Sequence, residues 1–250
     1  MLNNRFVAGV LGMLLALSLC ACAETQVAPQ TQETEETQQE NTQKGTQETE
    51  AELVMPAEYD ALLRAVVESF PNVSGLADYP ELSGMYDGHA SLVDLGYALA
   101  DMDGDGNPEL LLKSMESPFI YDAFTLADGQ LADLFTGDEH TSYRLYEDGY
   151  VEKQWQENEN IRGTDYFRIE NNTLVLFDRV VMDAEHALQL GLIDSLEGAD
   201  TNLCFFRSST KNKEDYQSLS AQEALKLQQS FVEDNFHLLP SFTALSAYGG

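Results

Sequence analysis

The stretch YFRIENNTLVLFD, residues 166–178, places Asn171 and Asn172 between two runs that are rich in aromatic and branched apolar side chains. Runs of this composition favour β-strands, and an Asn-Asn pair tolerates the positive φ angles that a two-residue type I′ turn requires. The stretch therefore predicts a β-hairpin.

Two earlier stretches repeat this pattern. FTLADGQLADLF (residues 124–135) and YRLYEDGYVEKQW (residues 143–155) each carry an Asp-Gly pair between two strand-like runs. Consecutive hairpins of this kind predict an antiparallel meander of six strands. The segments GYALA (residues 96–100) and ELLLKS (residues 109–114) add two more strands on either side of an acidic loop.

Helices are predicted at both ends of the same region. From Pro56 to Phe70 the apolar side chains follow the spacing of an amphipathic helix. A second helix begins at Ser220, because Glu223 three residues later completes a capping-box pattern, and a short helix is expected in residues 183–192. The predicted fold class is α+β: an antiparallel β-hairpin meander with N- and C-terminal amphipathic helices packed on it.

The acidic loop DMDGDGNPE, residues 101–109, concentrates carboxylates between two of the predicted strands. Its D-x-D-x-D-G spacing is the specific part of a calcium-loop motif, and hard oxygen ligands are those that Ca²⁺ prefers. An acidic turn without a metal is the alternative. We expect a structural Ca²⁺ ion held by Asp101, Asp103, Asp105, the carbonyl of Asn107, and Glu109.

The loop is not a full EF-hand, because Leu112 stands where an EF-hand has its bidentate glutamate. A strand–loop–strand with ligands at positions one, three, five and nine resembles the calcium loops of FG-GAP and VCBS repeat proteins. That resemblance implies the same ligand set. Those families usually repeat the loop around a propeller, whereas this sequence carries it once.

The N-terminus predicts export. Residues 7–19 form a 13-residue apolar run, which is short for a membrane span and suits the core of a signal peptide. The following LCAC, residues 19–22, resembles the lipobox of bacterial lipoproteins. The resemblance implies that Cys22 is lipidated and becomes the first residue of the mature chain. An ordinary secretory peptide cut after Ala21 or Ala23 is the alternative.

Three segments follow from these features. Residues 1–21 are the predicted signal peptide, residues 22–52 a lipidated cysteine with a disordered linker rich in Thr, Gln and Glu, and residues 53–250 an acidic α+β calcium-loop domain. The last segment has 35 acidic and 11 basic side chains. Such a negative charge disfavours binding to nucleic acid, and we expect a monomer.

The order of these elements is similar to that of a group of surface lipoproteins from gut Firmicutes. The similarity is most specific at residues 96–112 and 142–149. It implies placement on the cell surface, outside the cytoplasm, and a calcium-loop domain. It implies no particular activity.

Enzymatic motifs are weak in this sequence. The first motif of haloacid-dehalogenase-type phosphatases would make Asp101 a nucleophile and Asp103 a general acid, but Asp105 replaces the required Thr or Val. None of the four histidines forms a zinc motif. We therefore expect a binding or scaffolding module, attached to the membrane through its lipid, with a surface protein or glycan as ligand. An extracellular hydrolase acting on glycan or cell-wall substrate is the alternative.

Overall fold

A computed structural model describes residues 53–70, 91–235, 237–238 and 240–249. The predicted signal peptide, Cys22 and the predicted linker lie outside the described residues. Among the described helices, none combines the length and the apolar character that crossing a membrane would require.

The described residues form eleven strands, three α-helices and several short 3₁₀ turns. The helices are α1 (Ala57–Ser69), α2 (Ala184–Gln189) and α3 (Ala221–Asp234). The strands are β1 (Leu95–Ala100), β2 (Glu109–Ser114), β3 (Asp122–Ala127), β4 (Gln130–Thr136), β5 (Thr141–Leu145), β6 (Tyr150–Asn158), β7 (Ile161–Glu170), β8 (Thr173–Asp183), β9 (Phe205–Ser208), β10 (Gln217–Leu219) and β11 (Thr243–Ala244).

All of the strand pairs are antiparallel, but the strands divide into two sheets instead of one continuous meander. One sheet has the order β11-β1-β2-β3-β4 and the other the order β10-β9-β8-β7-β6-β5. The division falls at Gly137, between β4 and β5. A Cβ atom on Gly137 would lie 3.0 Å from the carbonyl oxygen of Thr141 and 3.1 Å from that of Tyr121. The chain therefore leaves the first sheet at a position where backbone atoms pack closely and glycine fits best.

Two of the three predicted type I′ turns are confirmed by their backbone angles. Asp128 and Gly129 have φ angles of 52° and 73°, and Asn171 and Asn172 have 51° and 59°. The third hairpin also has positive φ angles, 59° at Asp148 and 75° at Gly149, but its loop is longer, because four residues, 146–149, stand between β5 and β6. Short polar side chains and glycine accept this left-handed backbone at low cost.

Each of the longer helices shares a hydrophobic core with one sheet. The buried side chains of α1 cluster with four apolar side chains from strands β1, β2 and β3 of the five-stranded sheet: Leu95, Leu110, Leu112 and Phe124. On α3, the buried Ala224 clusters with Tyr166 and Val180 of the six-stranded sheet. The ring of Phe231 lies 4.2 Å from that of Tyr166.

The start of α3 matches the capping box expected from the sequence. The backbone N–H of Glu223 donates to Ser220 Oγ at 3.2 Å, and the backbone N–H of Ser220 donates to Glu223 Oε2 at 2.8 Å. Two N–H groups that have no partner within the helix are satisfied in this way. The helix therefore begins where the sequence places it.

Candidate metal centre

The acidic loop joins β1 to β2. Ala100 and Glu109 are the last residues paired across the two strands, so residues 101–108 form the connection. This pairing fixes both ends of the loop in the five-stranded sheet. Asp101 follows directly after one strand, and Glu109 is the first residue of the other.

The loop is wrapped around the side chain of Asp101. The backbone N–H of Gly104 donates to Asp101 Oδ1 at 2.9 Å, and that of Gly106 donates to Asp101 Oδ2 at 3.0 Å. Both glycines have positive φ angles, 78° and 89°. A residue with a Cβ atom would strain the backbone at either place, so the two glycines allow the tight curvature of the loop.

Three carboxylates meet inside this curve. One oxygen atom from each of Asp101, Asp103 and Glu109 lies within 4.8 Å of the other two, a spacing at which the three residues could hold a metal ion. Like charges this close repel one another, and a low local dielectric strengthens the repulsion. A cation bound between the carboxylates would remove that cost.

Glu109 is the buried member of the group, with 2% of its surface exposed. The pKa of Glu109 is raised to about 7, mainly by burial and also by the charges of Asp103, Asp105 and Asp101, against a hydrogen bond from the backbone of Met102 that lowers it. That bond, from Met102 N–H to Glu109 Oε2, measures 2.9 Å. Burial also raises the pKa of Asp103.

The other two predicted ligands lie at the exposed tip of the loop. The carboxylate of Asp105 accepts hydrogen bonds from the backbone N–H of Asn107 at 2.7 Å and from its side-chain amide at 3.1 Å. The group of three close carboxylates does not include Asp105. Ligation by Asp105 and by the Asn107 carbonyl stays a prediction.

Residues distant in sequence support the site, and sequence reasoning did not find them. Thr125 Oγ1 on β3 lies 3.4 Å from Glu109 Oε1 and 3.3 Å from Asn172 Oδ1 on the β7–β8 turn. A Cβ atom on Gly149 would lie 3.2 Å from Cβ of Asp103. The sequence identifies Asn172 and Gly149 only as turn residues, and no spacing in it links them to the acidic loop.

Tyr59 connects α1 to the acidic loop through hydrogen bonds of its hydroxyl group. Its hydroxyl lies 3.0 Å from the carbonyl oxygen of Pro108 and 3.2 Å from that of Phe124, and its side chain is fully buried. We expect Tyr59→Phe to lower the free energy of unfolding by about 1–3 kcal/mol, because it leaves a buried carbonyl without its donor. Urea denaturation measures this, and a midpoint equal to that of the wild type would contradict it.

The group at Asp101, Asp103 and Glu109 is the single cluster of three potential metal ligands at this spacing within the described part of the chain. Its donors are all carboxylate oxygens, which suit a hard divalent cation. No protein-family model, no curated protein and no solved structure matches this chain.

Proposed function

We propose that this protein is a lipid-anchored, extracytoplasmic binding or scaffolding module whose folded domain is stabilised by one Ca²⁺ ion. In this proposal the ion is coordinated by Asp101, Asp103, Asp105, the carbonyl of Asn107, and Glu109. The observation that carries the metal part is the convergence of three carboxylates around a glycine-rich loop, with one of them buried.

Calcium suits this site better than other common divalent ions. Ca²⁺ accepts six to eight oxygen ligands in flexible geometry at about 2.3–2.6 Å, whereas Mg²⁺ requires near-ideal octahedral geometry. Zinc prefers histidine and cysteine, which are absent from the close group of described ligands. An irregular loop with carboxylate and carbonyl oxygens therefore favours calcium.

The role of the ion in this proposal is structural. Glu109 begins a core strand, and Tyr59 and Thr125 connect the loop to α1 and β3. An ion that binds only the folded state adds roughly 1.4–2.7 kcal/mol of stability when its concentration is ten- to a hundredfold above Kd. Extracellular calcium modules have Kd values of roughly 10⁻⁴–10⁻³ M, which suits a calcium-rich exterior.

The anchor is supported by sequence alone. The apolar run followed by LCAC favours lipidation of Cys22, and two acyl chains on one residue give a stable attachment. The polar segment that follows would link the anchor to the folded domain. We expect mass spectrometry of the mature protein to find a diacylated Cys22, and an unmodified N-terminus would contradict this part.

Removal of individual ligands tests the metal part. We expect Ca²⁺ to raise the melting temperature of the wild type by roughly 3–10 °C relative to chelator, as the stability gain above implies for a domain of this size. Asp103→Ala and Asp105→Ala should abolish the rise. Glu116→Ala, an exposed control between β2 and β3, should retain it. Identical wild-type melting curves in calcium and in chelator would contradict the proposal.

A further inference from the structure

We infer that the face of the six-stranded sheet beside α3 binds a neutral, linear oligosaccharide. This inference rests on the proposed function as a binding module, and it names the site and the ligand class. Two adjoining cavities of about 550 and 400 Å³ lie on this face and share Gln154, Thr164 and Gln228. We call the combined feature the sheet-face groove.

The floor of the sheet-face groove consists of side chains paired across neighbouring strands. One row runs Ser142–Gln154–Thr164–Val180 across β5, β6, β7 and β8. Residues paired in this way project from the same face of the sheet. All four line the larger cavity. Ser142 and Gln154 are partly exposed, whereas Thr164 and Val180 are buried, so the row presents a hydroxyl and an amide above a closed base.

A second row lies beside the first on the same face. It runs Gln156–Arg162–Met182–Phe205 across β6, β7, β8 and β9, and all four residues line the larger cavity. Met182 is buried in the core, and the ring of Phe205 is half-buried. The ring of Phe205 and the neighbouring amides match the two chemistries of a sugar ring, a C–H face and a rim of hydroxyls.

The amides at the centre of the groove are held in place. Gln228 on α3 donates from Nε2 to Thr164 Oγ1 at 3.1 Å. Gln154 donates from Nε2 to Glu152 Oε1 at 2.6 Å. An amide has two N–H donors and an oxygen with two lone pairs, so one bond uses only part of its capacity. Fixed amides that can both donate and accept suit hydroxyl groups, which do the same, at a reduced entropy cost.

The charges of the groove disfavour an anionic ligand. The central row and Gln228 carry no formal charge, and the buried Glu152 is paired with Arg144 at 3.3 Å. The rest of the lining adds three acidic side chains, Asp138, Glu139 and Glu233, and one basic side chain, Arg162. The chain as a whole has a net charge of -30, which repels anionic polymers. A peptide could not bind here by adding a strand, because the strands that form this floor already pair with one another.

Isothermal titration of the full chain with cellohexaose, xylohexaose, mannohexaose and maltohexaose, one at a time, tests the inference. We expect at least one to bind with a Kd below about 1 mM. Gln154→Ala/Gln228→Ala should weaken that binding about tenfold or more, since it removes central hydrogen bonds. Gln156→Ala, an exposed position in the groove, should weaken it without affecting folding, and Gln130→Ala, on the other sheet, should not.

Absence of binding to all four oligosaccharides would overturn the inference, as would binding that none of the groove variants weakens. Tighter binding of hexagalacturonate than of every neutral probe would also overturn it. Each titration is accompanied by melting curves with calcium and with chelator. A preserved calcium-dependent rise without sugar binding contradicts only the groove, whereas loss of the rise contradicts the proposed calcium site.

Discussion

Glu109→Gln is expected to stabilise the domain in the absence of calcium and to abolish its stabilisation by calcium. In chelator at about pH 8, the wild type keeps a charged carboxylate in a nearly dry environment beside other carboxylates. The amide removes that charge, so the variant should be more stable by about 2–3 kcal/mol. In calcium the variant should show no rise, because a ligand is missing.

The pH dependence follows from the raised pKa of Glu109, which is about 7 instead of 4.5. A carboxyl whose pKa is raised by folding stabilises the folded state below its unfolded pKa, and this contribution is lost as pH rises through the folded value. In chelator, the advantage of Glu109→Gln over the wild type should therefore be absent at about pH 4.5 and complete above about pH 8. Denaturant unfolding across this range measures it.

Glu116→Gln is the matched control for this experiment, because it removes one negative charge at an exposed position. It should change stability by a few tenths of a kcal/mol and retain the response to calcium. If Glu109→Gln were less stable than the wild type in chelator at every pH, burial and charge repulsion at Glu109 would not destabilise the domain.

Arg179→Met is expected to produce the largest loss of stability, about 3–5 kcal/mol. Arg179 and Asp165 form an ion pair whose side chains are 7% and 4% exposed, with Arg179 Nε 3.0 Å from Asp165 Oδ1. That contact lacks hydrogen-bond geometry at Nε, and the hydrogen bond runs from Nη2 to Oδ2 at 3.4 Å. Removing the guanidinium leaves a buried carboxylate without its counter-charge.

Trp155 makes this loss easy to measure. Its indole N–H donates to Asp165 Oδ1 at 2.9 Å, the guanidinium of Arg179 lies 5.2 Å from its ring centre, and it is the only tryptophan of the chain. Tryptophan fluorescence during urea unfolding therefore reports directly on this region. The double variant Asp165→Asn/Arg179→Met should recover most of the stability, because no unpaired charge remains. A single variant as stable as the wild type would contradict this assignment.

The hairpins could be predicted because their signals are local. Positive φ angles at Asp128, Gly129, Asn171 and Asn172 require residue types that the sequence shows directly. The division into two sheets at Gly137 could not be predicted, because each hairpin signal is local and none of them says which strands pair beyond its own turn. Strands β9, β10 and β11 are two to four residues long, too short to show a period of two.

The candidate site likewise contains residues that the sequence predicts and residues that it does not. Asp101, Asp103 and Glu109 lie within nine residues, so their spacing alone predicts that they can converge. The partners of the loop come from other elements: Tyr59 lies 49 positions from its partner Pro108, and Thr125 lies 16 positions from Glu109. Their hydrogen bonds depend on the packing of α1 and β3, for which the sequence carries no short-range signal.

Neutralisation of the β1–β2 loop by a bound Ca²⁺ ion can be observed in an anomalous-difference map from a crystal grown with millimolar calcium. We expect one peak between Asp101, Asp103 and Glu109, at about 2.3–2.6 Å from a carboxylate oxygen of each. A map without a peak at that position would show that the loop does not bind calcium.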